Sequence, residues 1–131
     1  MNSQKEKWFV NVYINKRYKE RLNFEFSSQK KRQNALERFA HNTESIIDDK
    51  KLSLKTDALT KSFFIKLFIN TKSVYVISDK YLDGTEMNIE DAYNYLINEY
   101  SAVLLCADSC AVIKSECEDT SHYFVLKHYV T

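Results

Sequence analysis

Residues 8–26 have the sequence WFVNVYINKRYKERLNFEF, and the interpretation of this stretch decides the predicted fold. Every second residue from Trp8 to Ile14 is apolar, with Phe9 and Tyr13 on the other face, and in Tyr18–Phe26 the apolar residues alternate with polar and charged ones. A period of two is typical of a β-strand that buries one face. The polar break Asn15-Lys16-Arg17 separates the halves, so the stretch is predicted to form an antiparallel β-hairpin.

Two amphipathic helices are predicted further along the chain. Ser27 or Ser28 is a candidate N-cap for the first helix. Its apolar residues recur at steps of three and four and are Leu36, Phe39, Ala40, Thr43, Ile46 and Ile47. Asn88 is predicted to cap the second helix, with Asp91 at its third position. The buried stripe of that helix is predicted to consist of Ile89, Ala92, Tyr93, Leu96, Ile97 and Tyr100.

Five further segments are predicted to be strands. Phe63–Ile69 and Val74–Ile77 form a second hairpin, and three strands follow the second helix at Ala102–Cys106, Cys110–Cys117 and His122–Val130. The resulting order, ββα-ββ-α-βββ, predicts a single α+β domain over residues 1–131, with a mostly antiparallel sheet packed against two helices. Because residues 63–68 are apolar on both faces, they are expected to be covered by helices on both sides or buried in a homodimer.

The glycine and proline content excludes several classes of enzyme. One of the 131 residues is glycine and none is proline. The phosphate-binding loops of dinucleotide-binding and P-loop proteins and the nucleophile elbow of α/β-hydrolases each need two or three glycines. Gly84 is therefore the one position where the backbone freedom of glycine is expected to matter. No motif implies a cofactor, and none is expected.

The N-terminus and the cysteines predict a cytoplasmic protein that does not enter a membrane. No apolar segment of the signal-peptide type follows the first residues. The longest uninterrupted apolar run, Ala102–Ala107, is far shorter than the ~20 residues that span a bilayer. Three cysteines cannot all pair, and their spacing matches no disulfide framework of secreted proteins.

Charge is distributed unevenly between the two halves of the chain. Residues 1–60 contain 13 Lys and Arg against 8 Asp and Glu, whereas residues 61–131 contain 6 against 10. The acidic half also contains tyrosines, and this composition suits a basic protein partner. We therefore expect a small non-catalytic protein-binding domain, an inhibitor or immunity-type protein that neutralises a toxin, nuclease or defence enzyme by covering its functional surface. The residues expected to bind that partner are Asp83, Glu86, Glu90, Asp91, Tyr95 and Glu99.

A basic region supports an alternative function, the binding of RNA or DNA. It lies on the first predicted hairpin and at the start of the first predicted helix, with Tyr13 and Tyr18 interleaved. Lysine and arginine hold phosphates while aromatic rings stack on bases. The net charge of +1 argues against strong nucleic-acid binding. The residues of this alternative site are Lys16, Arg17, Lys19, Arg21, Lys30, Lys31 and Arg32.

A second alternative is a small hydrolase or nuclease that uses His41 or His122. The spacing of Glu37, His41 and Glu44 places these residues side by side on a helix, where a carboxylate can orient the imidazole. Because the same arrangement is common on solvated helices, no catalytic residue is assigned.

Two residue sets have partial metal-ligand spacing, yet no metal site is predicted. Asp79, Asp83, Gly84 and Glu90 occupy four positions of the calcium-loop pattern, whereas Tyr81 stands where a further acidic residue is needed. A turn followed by an acidic helix start explains the same residues. The second set lacks the close ligand pairs of zinc sites and consists of Cys106, Cys110, Cys117, His122 and His128.

Overall fold

A computed structural model describes residues 3–41, 51–54, 60–68, 73–98, 102–106, 110–117 and 120–127. The helices in these ranges are α1 (Ser3–Tyr13), α2 (Lys16–Ser27), α3 (Arg32–His41), α4 (Lys61–Leu67) and α5 (Ile89–Asn98). The strands are β1 (Lys51–Leu54), β2 (Val74–Ile77), β3 (Glu86–Met87), β4 (Ala102–Cys106), β5 (Cys110–Cys117) and β6 (Thr120–Lys127). The strands form one sheet in the order β1-β6-β5-β4-β2-β3, with every neighbouring pair antiparallel.

The predicted fold is wrong, because residues 8–26 form helices instead of a hairpin. The buried apolar residues of α1 and the position after it are Phe9, Val10, Tyr13 and Ile14, at the steps of three and four that a helix requires. Apolar residues fill most positions from 8 to 14, so the stretch satisfies the period of a helix as well as that of a strand. In the described residues the five helices together contain more of the chain than the six strands.

The predicted strand at residues 63–69 is also wrong. Residues 61–67 form α4, and Thr60 caps it, since the Phe63 backbone N–H donates to Thr60 Oγ1 over 3.2 Å. Phe64 and Phe68, one helical turn apart, are fully buried, with ring centroids 4.7 Å apart. The predicted turn of the second hairpin, residues 70–72, lies outside the described residues. The partners of Val74–Ile77 in the sheet are instead β3 and β4.

Local signals at α5 are confirmed. The Asp91 backbone N–H donates to Asn88 Oδ1 over 2.8 Å, and Asn88 Nδ2 donates to Asp91 Oδ2 over 3.0 Å. This reciprocal cap satisfies one of the backbone donors that the start of a helix leaves free. Ala92 and Leu96 are buried as expected, but Ile97 is exposed. The predicted strands at 102–106 and 110–117 coincide with β4 and β5.

Helices cover both faces of the sheet and form two separate hydrophobic cores. On one face α1, α2 and α3 pack against Tyr75, Ile77, Val103, Ala111 and Ile113. On the other face α4 and α5 pack against Val74, Val76 and Val112. The register agrees with this division, because alternate residues of β2, β4 and β5 point to opposite faces. Residues 63–68, whose apolar faces suggested cover by helices or a homodimer, instead form part of this cover themselves, with Phe64 and Phe68 buried against the sheet.

Candidate functional site

Two backbone hydrogen bonds close the base of the loop between β2 and β3, residues 78–85. Gly84 N–H donates to the Val76 carbonyl over 2.8 Å, and Val76 N–H donates to the Thr85 carbonyl over 2.9 Å. Two residues of one strand therefore oppose one residue of the other, which is a glycine-type β-bulge. Gly84 has a φ of 80°, a conformation that glycine adopts without the steric cost of a Cβ atom. The backbone freedom predicted for Gly84 is used here.

Asp83 fixes the loop from inside. Its Oδ1 accepts from the Ser78 backbone N–H over 3.0 Å, so the side chain closes the loop on itself. The same carboxylate also accepts two hydrogen bonds from Arg32, from Nε over 2.7 Å and from Nη2 over 2.9 Å. A planar carboxylate and a planar guanidinium joined by two parallel bonds hold one another in a single orientation.

Arg32 is the centre of a buried polar network and uses all five of its N–H groups. Its side chain is only 7 % exposed. Besides the two bonds to Asp83, it donates to Glu6 Oε1 over 2.6 Å, to Glu6 Oε2 over 2.9 Å and to the Phe26 carbonyl over 2.8 Å. Burial by itself lowers the pKa of this guanidinium, but its hydrogen bonds to the carboxylates of Asp83 and Glu6 outweigh the effect of burial and raise the pKa above its ordinary value.

Glu6 extends the network to the sheet. Its Oε2 accepts from the Tyr75 hydroxyl over 2.5 Å, in addition to the bond from Arg32. The network therefore joins α1 through Glu6, α3 through Arg32, β2 through Tyr75 and the β2–β3 loop through Asp83. Because each charged group has an opposite charge within hydrogen-bonding distance, the cost of burying it is offset in the folded chain.

The first half of the loop is held by α3 and α5. Gln33 Nε2 donates to the Asp79 carbonyl over 2.8 Å. Ser78 Oγ accepts from the Tyr95 hydroxyl over 3.0 Å and from the Lys80 backbone N–H over 3.1 Å. The loop thus has side-chain contacts with two helices on top of its own backbone hydrogen bonds.

Tyr81 lies at the tip of this anchored loop. The Asp83 N–H donates to the Lys80 carbonyl over 3.0 Å, which closes a turn with Tyr81 and Leu82 at its centre. The Tyr81 side chain is 93 % exposed. Tyr81 belongs to the acidic half of the chain but was not among the residues predicted to bind a partner. The sequence signal for a turn at this place was the neighbouring pair Asp83-Gly84.

Two carboxylates of the predicted acidic surface are neutralised within the chain. Glu86 Oε1 accepts from Lys5 Nζ and from Ser73 Oγ. Glu90 Oε1 accepts from Lys61 Nζ over 2.7 Å. In each case the hydrogen bond from the lysine lowers the pKa of the carboxyl below its ordinary value. These ion pairs reduce the negative field that the acidic surface was expected to present.

The other residues predicted for the acidic surface have different placements. The Asp83 side chain is largely buried against Arg32. Asp91 is exposed but occupied in the Asn88 cap, and Tyr95 is partly buried with its hydroxyl on Ser78. Glu99 lies outside the described residues.

The Glu86–Lys5 pair predicts a pH-dependent difference in stability between the wild type and Glu86→Gln. Because the pair lowers the pKa of Glu86, it stabilises the folded state at pH values above the ordinary pKa of 4.5. This contribution is lost as the pH falls through the folded-state pKa. Since solvent screens the pair, the variant is expected to lose about 0.5 kcal/mol at neutral pH. Urea denaturation at about pH 7 and about pH 3 measures both values, and the difference should be smaller in acid.

Glu20→Gln is the control for this measurement, because the described part of the chain provides no ion pair for the exposed Glu20. An equal loss of stability for Glu86→Gln at both pH values would show that the pair does not titrate as described.

The residues of the predicted basic site divide into two groups. Arg32 is buried, and Arg21 Nε lies 3.3 Å from Glu25 Oε1, which also accepts from Arg38. Lys19 is partly exposed, and the exposed members for which the described residues provide no carboxylate are Lys16, Arg17, Lys30 and Lys31. The structure thus brings Arg32 and Asp83 together in the interior, although the sequence analysis assigned them to opposite surfaces.

The candidate enzymatic and metal-ligand sets, from which no site was predicted, lie only partly within the described residues. Glu37 is exposed and accepts from Gln33 Nε2 over 3.2 Å. His41 ends α3 and His122 lies in β6, but their side chains, like Glu44 and His128, lie outside what the structure describes. No three His, Cys, Asp or Glu side chains of the described region converge as metal ligands would. Asp83 and Glu90 of the calcium pattern instead contact Arg32 and Lys61.

In the described part of the chain, no helix has the length and apolar character needed to cross a membrane. No family model, no curated protein and no solved structure matches the chain significantly.

Proposed function

We propose that the chain is a non-catalytic protein-binding domain that contacts its partner through the β2–β3 loop, with Tyr81 as the anchoring side chain. The observation that carries the proposal is a tyrosine that is 93 % exposed on a loop held by a buried ion-pair network. An aromatic side chain in water gains most by entering a pocket on another molecule.

The anchoring of the loop supports this proposal because ordering a flexible loop on binding costs free energy. Asp83 and Ser78 already hold the loop in one conformation through Arg32, Tyr95 and the backbone. A preorganised loop retains more of its contact energy as affinity. Tyrosine adds a large rigid contact area with only two side-chain torsions to order.

Within this class we propose an inhibitor or immunity-type protein that covers the functional surface of a toxin, nuclease or defence enzyme. Enzyme inhibitors commonly bind with little change in backbone conformation, and a loop fixed from behind by side-chain hydrogen bonds meets that requirement. The exposed carboxylates near the loop contribute less than their number suggests, because Lys5 and Lys61 neutralise Glu86 and Glu90. Such rim charges act mainly on the rate of encounter.

Tyr81→Ala tests the proposal. We expect the tagged wild type to recover a specific protein from its host cells and the variant to lose it, since a buried aromatic anchor contributes about 2 kcal/mol or more. With the purified partner, titration calorimetry should show at least a ~30-fold weaker Kd for the variant. If the partner is an enzyme, the wild type should inhibit it at a one-to-one ratio, whereas Tyr81→Ala should not.

Phe24→Ala is the matched control, because it removes another exposed ring, on α2, which is 58 % exposed. It should recover the same protein with unchanged affinity. Recovery of that protein by Tyr81→Ala with wild-type affinity would rule out the loop as the contact, and a partner that binds without any loss of its own activity would rule out inhibition.

A further inference from the structure

We infer that α2 and the turn between α2 and α3 form a second binding surface, which takes a single strand of nucleic acid. The surface consists of Lys16, Arg17, Phe24, Lys30 and Lys31. This surface is cationic, whereas the β2–β3 loop presents the uncharged ring of Tyr81. The inference does not depend on the function proposed for the loop.

The cations of this surface differ from the other basic side chains of α2 and α3. Arg21, Arg32 and Arg38 each contact a carboxylate of the chain. For the four cations of the surface, the described residues provide no carboxylate within ion-pair distance. Their charge therefore remains available to an anionic ligand, in contrast to the carboxylates of Glu86 and Glu90, which are paired.

An exposed aromatic ring lies among these cations. Phe24 is 58 % exposed, and the Lys31 Nζ atom lies 5.2 Å from the centroid of its ring. Arg17 and Phe24 are seven residues apart on α2, which places them on the same face of the helix. An exposed ring flanked by cations can stack on a base while the cations contact the neighbouring phosphates.

The position of the two turn lysines adds to the positive potential of this surface. Lys30 and Lys31 directly precede α3, whose first backbone N–H groups carry partial positive charge. Placing lysines there is unfavourable for the isolated domain, and a phosphate bound at this point would relieve the repulsion. The exposed ring favours a nucleic acid over an acidic protein or a polyanion without bases, because only the nucleic acid offers a base to stack on every phosphate unit.

Fluorescence anisotropy with labelled single-stranded RNA and DNA of about 12 nucleotides tests the inference. The near-neutral chain is expected to bind with a Kd of roughly 10–100 μM near physiological salt, and more tightly at about 50 mM salt. Comparing the Kd values for RNA and DNA shows whether the sugar contributes to binding. Inorganic polyphosphate and a polyglutamate peptide serve as competitors that carry charge without bases.

Two variants separate the roles of charge and stacking. Lys30→Gln combined with Lys31→Gln should reduce the slope of log Kd against log salt concentration by about 1.4, since each phosphate contact with a single strand contributes about 0.7. Phe24→Ala should weaken oligonucleotide binding by at least about fivefold and leave polyphosphate binding unchanged. The matched control is Lys61→Gln combined with Lys66→Gln on α4, which removes the same charge from the other face of the sheet and should leave both affinities unchanged.

Three results would overturn the inference. One is the absence of oligonucleotide binding at low salt, and another is an equal loss of affinity in the α4 control. The third is preferential binding of polyglutamate over the oligonucleotides, which would assign the surface to an acidic protein partner. Circular dichroism should give the same helix content for all variants, since every substituted side chain is exposed on the helix or turn that carries it.

Discussion

Replacing Arg32 with methionine should lower the free energy of unfolding by about 3–5 kcal/mol, because the carboxylates of Glu6 and Asp83 remain buried without their cation. Arg32 donates two hydrogen bonds to each of them, and the side chains of Arg32 and Glu6 are both 7 % exposed. Methionine has a similar length but carries no donor. Urea or guanidinium denaturation followed by circular dichroism measures the change.

Arg38→Met provides the matched control for this prediction. Arg38 donates to both oxygens of Glu25, whose side chain is 10 % exposed, but Arg21 Nε lies 3.3 Å from Glu25 Oε1 and remains as a cation after the substitution. The loss of Arg38 should cost no more than about 1 kcal/mol. Adding Glu6→Gln to Arg32→Met should recover part of the lost stability, since one carboxylate no longer needs a cation. A loss below about 1 kcal/mol for Arg32→Met would contradict the buried network.

Arg32→Met also tests whether the buried network supports the proposed function of the loop. Without Arg32, the Asp83 carboxylate loses the two bonds that hold it beneath the loop, and the loop that carries Tyr81 becomes less ordered. The affinity for the partner should then fall even in the folded fraction of Arg32→Met, whereas Arg38→Met should bind as the wild type does.

Phe64→Ala should destabilise the chain by about 3–5 kcal/mol, because a fully buried aromatic side chain is removed from the core between α4, α5 and the sheet. The Phe64 ring contacts two others, with centroids 4.7 Å from Phe68 and 5.5 Å from Tyr93. The cavity left behind would remove dispersion contacts as well as apolar burial. Thermal and urea unfolding at neutral pH measure the loss.

The neighbouring residue supplies the control that distinguishes a helix from a strand. Ile65 is 40 % exposed on α4, so Ile65→Ala should cost well under 1 kcal/mol. In α4 the sensitive positions are Phe64 and Phe68, four residues apart. A strand buried on both faces, as the sequence analysis expected, would make Ile65→Ala as damaging as Phe64→Ala, and that result would contradict α4.

The prediction from sequence was successful where a structure depends on a few adjacent residues. The Asn88 and Asp91 side chains cap α5 because the hydrogen-bond partners lie three residues apart. Gly84 occupies a left-handed position because the adjacent turn and bulge require it. The strands β4 and β5 were found because apolar residues bounded by polar ones mark their ends.

The buried network, by contrast, could not be found from sequence. Arg32 and Asp83 are 51 positions apart, and Arg32 and Glu6 are 26 apart. Their contact depends on the packing of α1 and α3 against one face of the sheet. When residues 8–26 are assigned to strands, no contact between Glu6 and Arg32 is predicted. Arg32 was therefore expected to be a surface cation.

Composition and local spacing were therefore sufficient to exclude the glycine-dependent enzyme classes and to locate the turn at Gly84 and the cap of α5. The conformation of residues 8–26 and 63–68 was decided by the tertiary structure. In these segments apolar residues are so dense that they suit either period, and a secondary structure forms where its apolar face is buried most completely. Both faces of the sheet need helices to cover them, and α1, α2 and α4 supply that cover.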